Sequence, residues 1–148
     1  MNDARAWLVA AGWMSVAASM LHLACIVGGP DWYRFLGAGE DMARGAERGA
    51  LFPILITLAI AAILAIWAAY AFSAAGMIVR LPLIRTALVL ISATLLIRAT
   101  VLPLMPVGRS DLSAAFLCWS SAIVLVYGLT FAIGTWKAWP SLSLRGAL

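Results

Sequence analysis

His22 and Arg98 are the residues of this chain best equipped for chemistry. His22 is the only histidine, and an unperturbed imidazole exchanges its proton near neutral pH. Arg98 offers a planar fork of donors that matches a carboxylate or a phosphate. Nearby in sequence lie Cys25, three residues after His22, and Thr94, one helical turn before Arg98. Thr57, Cys118, Ser120 and Ser121 are polar residues of two further apolar runs. Asp31, Glu40, Asp41 and Glu47 supply carboxylates in one short polar segment.

These types exclude several chemistries. One histidine rules out bis-histidine haem ligation within one chain and argues against zinc, which wants three or four protein ligands. The acids of residues 31–47 lack the tight ligand spacing of a calcium loop, and interleaved arginines make them a salt-bridged surface, so no metal site is expected. The two cysteines, Cys25 and Cys118, form no C-x-x-C pair, which argues against a dithiol relay. A disulfide between them is conceivable, but the favoured reading is two reduced, small, buried side chains. His22 as a catalytic acid or base lacks a fixed titratable partner. Its expected role is structural, donating to a carbonyl or hydroxyl on the next helix. Arg98 is read first as snorkelling to the surface, and second as a ligand for Asp31, Glu40, Asp41 or Glu47, a lipid phosphate or an anionic amphiphile.

The elements that must carry these residues follow from hydropathy. The chain is 65% hydrophobic and only 11% charged, with a mean hydropathy of +1.03, against roughly 25% charge in soluble domains. Residues 50–79 contain no charge, more than the ~20 apolar residues that cross a bilayer. Spans are expected at residues 7–27, 51–73, 83–102 and 112–136. The third depends on Arg85 and Arg98 turning outward. Gly28, Gly29 and Pro30 end the first span, Pro103 and Pro106 the third, and Pro140 the fourth. Pro53 falls in a first turn, where its missing N–H costs nothing. Between spans 1 and 2, residues 29–49 are expected as an interfacial loop with one or two helical turns. Asp31 would cap a piece bearing Trp32, Tyr33 and Phe35, and Glu40 and Arg44 stand at i,i+4 spacing. The fold class is thus an all-α integral membrane protein: one domain, an antiparallel four-transmembrane-helix bundle. Short links before spans 3 and 4 make consecutive helices neighbours.

Antiparallel spans put His22, Cys25, Thr57, Thr94, Arg98, Cys118 and Ser121 within roughly 5–12 Å of one surface, by helical rise. The loop with Asp31 and Glu40 covers that end. Ala61, Ala65, Ala69 and Ser73 recur at four-residue steps, as do Ala11, Ser15 and Ser19, and Ser120, Gly128 and Ala132 supply small positions in span 4. Such faces let helices approach closely, within the monomer or between copies. The net charge is +4 and the pI near 9.7. The basic residues sit at span ends rather than in a stripe, so the partners are membrane lipids and not nucleic acid. Arg5, Arg80, Arg85, Lys137 and Arg145 mark one side, Arg34, Arg44, Arg48, Arg98 and Arg109 the other. The acids on the latter leave the first side more positive, placing both termini in the cytoplasm of a bacterial inner membrane.

Two functions are compatible with this pattern. The leading one is non-enzymatic: an accessory subunit or scaffold in a membrane complex or homo-oligomer. The alternative is a binder, carrier or enzyme for an amphiphile, a lipid, quinone or isoprenoid, with its head group near His22 and Arg98. No cofactor is specified by the residues.

Overall fold

The computed structural model describes residues 3–101 and 113–144. Its elements are α1 (Asp3–Gly28), α2 (Pro30–Phe35), α3 (Glu40–Glu47), α4 (Leu51–Ala74), α5 (Ile84–Val101) and α6 (Ala114–Leu144). Every regular element among the described residues is helical. Four segments are long and apolar enough to cross a membrane: Asp3–Gly28, Leu51–Ala74, Ile84–Val101 and Ala115–Leu142. The expected stops at Pro103 and Pro106, and Arg109 and Arg145, lie outside the described residues.

The long helices pack in the order α4, α1, α6, α5, with α1 and α6 as the inner pair. Lys137 Nζ lies 3.5 Å from Asp3 Oδ2, and Arg80 Nη2 donates to the Leu142 carbonyl. The start of α1, the end of α4, the start of α5 and the end of α6 therefore share one end of the molecule. Consecutive α4 and α5 were expected to be close neighbours, yet they meet only over a small stretch. The nine-residue link 75–83 is the reason: an extended chain of that length reaches up to ~30 Å. That lets α5 lie against α6 instead.

The core follows helical periodicity. On α4 Pro53, Thr57, Ala61, Leu64, Ala68 and Ala71 are buried in a stripe of three- and four-residue steps, with Ser73 buried near its end. It faces α1, where Leu8, Ala11, Gly12, Ser15 and Ser19 are buried. Leu88, Ile91 and Leu95 of α5 join Tyr127 and Phe131 of α6 in the same core. A Cβ built on Gly128 would stand 3.1 Å from both Leu95 and Leu96, so the glycine is what lets α5 approach.

Two polar contacts inside the bundle join helices. The Ser19 hydroxyl donates to the Ala61 carbonyl at 2.8 Å, joining α1 to α4. The Tyr127 hydroxyl donates to Ser15 Oγ at 2.6 Å, joining α6 to α1. Ser15 in turn donates to the Ala11 carbonyl at 2.9 Å.

Three local expectations are corrected. Asp31 does not cap α2: Gly29 occupies the cap at φ 71°, and Pro30 opens the helix. Proline's fixed φ and missing N–H suit a first helical position, and only glycine takes that φ without penalty. Pro140 does not end the last helix, which runs on to Leu144. Proline removes one N–H bond, but the turn beyond it is held by buried Leu142, by Arg80 on the Leu142 carbonyl and by the Ser141 hydroxyl on the Ala138 carbonyl at 2.7 Å. Finally, Ala61, Ala65, Ala69 and Ser73 do not share one face: Ala61 and Ser73 are buried, whereas Ala65 is exposed and Ala69 half-buried. Four residues turn a 3.6-residue helix through more than a full circle, so the row drifts around α4.

Candidate functional site

The segment between α1 and α4 folds over the end of the bundle where the sequence placed its polar groups. Arg34, near the end of α2, organises it. Its Nε and Nη2 donate to the two Glu40 carboxylate oxygens at 3.0 and 3.1 Å. Nη2 also donates to Glu47 Oε1 at 2.6 Å, and Asp31 Oδ1 lies 3.5 Å from Nη1. Arg44 Nε donates to Glu40 Oε1 at 3.0 Å, as the i,i+4 spacing implied. One guanidinium thus ties α2 to both ends of α3. The Arg34 and Arg44 bonds hold the Glu40 carboxyl at about 2, well below the usual carboxylate range, and the Arg34 guanidinium is correspondingly harder to deprotonate. The network is solvent-exposed, so it orients more than it stabilises.

Beneath it the segment has a core of its own: Cys25, Tyr33 and Ala43, with Leu36, Met42 and Ala46 packed around them. Tyr33 is 2% exposed. Its hydroxyl lies 3.3 Å from Thr57 Oγ1, and Thr57 donates to the Pro53 carbonyl at 2.7 Å. Gly37 turns the chain at φ 71° directly against Phe116 of α6. The segment is therefore anchored on α1, α4 and α6.

The eight expected site residues divide. Thr57, Asp31 and Glu40 belong to this docked segment, Thr57 from below and the two acids on its surface. Ser121 is buried and its Oγ has no hydrogen-bond partner. His22 is half-buried, and its Nδ1 lies 2.7 Å from the carbonyl of Ala18. A carbonyl only accepts, so Nδ1 carries the proton of this bond. This corrects the expected bond to a neighbouring helix: the four-residue spacing within α1 puts a carbonyl in closer reach. Thr94 and Arg98 are exposed on α5, because the buried stripe of that helix runs through Leu88, Ile91, Ser92, Leu95 and Ala99. Cys118 is exposed, Cys25 is buried, and both are free thiols. The expectation of two buried cysteines thus holds for Cys25 alone. Common depth did not mean common facing.

Arg34, Tyr33 and Tyr127 were not singled out by the sequence. A signal existed for Arg34 and Tyr127. Arg34 stands three residues after Asp31 and six before Glu40, and a tyrosine in an apolar span needs a partner for its hydroxyl. Among the described residues no three His, Cys, Asp or Glu side chains gather as a metal site. Comparison with protein-family models, with curated proteins and with solved structures finds no match to this chain.

Proposed function

We propose that this chain is a small integral membrane protein that works by assembly: an accessory subunit or scaffold in a membrane complex or homo-oligomer. Membrane embedding is supported by the outward faces of the helices. Leu55, Ile63, Ile66, Val89, Leu90, Ile123 and Val126 are all exposed, and water would penalise such a surface heavily, by ~25 cal/mol per Å².

The observation that carries the assembly reading is on α4. It packs along one stripe against α1 and touches α5 and α6 little. Beside that stripe it presents Ala62 and Ala65, both exposed, and half-buried Ala69. Small residues at helical spacing on an outward face admit another helix at close range. Polar groups inside the bundle fit the same reading: Ser15, Ser19, Thr57 and Tyr127 are engaged in packing bonds. The amphiphile reading with its head between His22 and Arg98 has less support, since α5 turns Arg98 outward and His22 is engaged with its own helix.

Native mass spectrometry from mild detergent tests the proposal. A defined homo-oligomer, or a stoichiometric membrane-protein partner, is expected, and Ala65→Leu should dissociate it. A lone monomer at every detergent concentration overturns it.

A further inference from the structure

At the other end of the molecule α5 and α6 leave a groove of about 480 Å³ lined by Val89, Ser92, Ala132, Thr135, Trp136 and Trp139. Arg85 continues the α5 wall, at i−4 from Val89 and i−7 from Ser92. Its guanidinium carbon lies 3.9 Å from the centre of the Trp139 ring, and its Nε is buried without a hydrogen-bond partner.

Thr135 is the second polar group. It is 5% exposed, and its hydroxyl has no partner. Ser121 apart, that breaks the habit of the bundle. Ser15, Thr57, Ser92 and Thr130 each donate to the carbonyl four residues earlier, an option equally open to Thr135. A buried hydroxyl without a partner is costly, so a rotamer turning this enclosed hydroxyl toward a ligand acceptor in the groove would be rewarded.

We propose that this groove seats one anionic phospholipid, with its phosphate on Arg85 and an acyl chain running inward past Val89, Ala132 and Trp136. The order along the helices fits such a molecule. Arg85 and Trp139 lie at the helix ends, where headgroups sit. Thr135 is one turn deeper, about 6 Å by helical rise, at the level of the glycerol ester carbonyls, which only accept. Beyond it the lining is apolar apart from Ser92, whose hydroxyl is already bound to the Leu88 carbonyl at 2.7 Å. Stacking on Trp139 holds the guanidinium plane and leaves its edge to donate. Charge complementarity selects the anionic class: Arg5, Arg80, Arg85 and Lys137 share this end, against Asp3.

The site rests on membrane embedding and not on assembly. The protein is stripped of lipid in detergent and titrated with phosphatidylglycerol or phosphatidylcholine of identical chains. Native mass spectrometry then reads bound lipid and subunit number separately, so the two proposals fail independently. One phosphatidylglycerol per chain is expected, preferred about tenfold, the scale of one charge-assisted contact. Arg85→Gln should bring the preference near unity. Thr135→Val keeps the side-chain shape and should weaken retention of both lipids. Equal retention of the two lipids by the unaltered protein overturns the site, as does an undiminished preference in Arg85→Gln. Undiminished retention in Thr135→Val overturns it even where Arg85→Gln fails to fold. Displacement of the lipid by inorganic phosphate would instead identify a free-anion site and overturn the lipid assignment.

Discussion

Glu40 is a residue whose ionisation is set by its folded surroundings. Its carboxyl titrates near 2 because Arg34 and Arg44 both donate to it. A lowered folded value means that the charged form is favoured in the native state. The contribution to stability is therefore complete above the ordinary glutamate value and disappears as pH falls toward 2. Carbon-13 NMR of the Glu40 carboxyl should give a midpoint well below 4. Arg34→Met should return it toward the ordinary range, whereas an unshifted midpoint in the unaltered protein would refute the Arg34 network. Tyr127 poses the corresponding question inside the bundle. Tyr127→Phe deletes only the 2.6 Å bond to Ser15, and interhelical hydrogen bonds in bilayers contribute ~0.6–2 kcal/mol. Unfolding in mixed detergent should register a loss of about 1 kcal/mol, while no loss would mean that the hydroxyl finds another partner.

At the scale of elements, α1 and α4 were readable because an apolar run long enough to cross a bilayer favours a helix, although α1 begins at Asp3 rather than at residue 7. Glu40 and Arg44 were readable because their spacing is local. What was not readable is rotation. Thr94 and Arg98 share a depth with Thr57, but only the packing of Leu88, Ile91 and Leu95 against α6 decides that they turn outward. The proline rule misled at Pro140, where tertiary contacts carry the helix onward. Docking of the α2–α3 segment likewise depends on a long-range fit invisible in local sequence: Gly37 at φ 71° facing Phe116. A Cβ there would stand 2.2 Å from the Phe116 ring, and a left-handed non-glycine residue adds ~1–2 kcal/mol. Gly37→Ala should therefore loosen the segment, speeding tryptic cleavage after Arg34, Arg44 and Arg48 several-fold without unfolding the long helices. An unchanged cleavage pattern would show that Phe116 does not anchor it.

For the whole molecule, the decisive quantity is what covers its outer surface. In the row α4–α1–α6–α5 each outer helix has one packed face, and its remaining circumference is apolar on α4 and mostly apolar on α5, where Thr94 and Arg98 also turn outward. A water-soluble protein could bury those faces only by extensive association, whereas a bilayer covers them without any partner. The two cases differ in what reaches the middle of α4. Ile63 lies near the centre of Leu51–Ala74 and is 47% exposed. With both native cysteines replaced by serine or alanine, Ile63→Cys in membranes should react with an apolar, bilayer-soluble maleimide. It should resist a charged methanethiosulfonate. Arg48→Cys, in the exposed turn before α4, should react with both. Rapid labelling of Ile63→Cys by the charged reagent would place α4 in water and remove the footing of both the assembly surface on Ala62 and Ala65 and the lipid groove at Arg85. Protection of Ile63→Cys from the bilayer-soluble maleimide as well would point to a neighbouring helix on that face. The pair of reagents therefore separates coverage by lipid from coverage by protein.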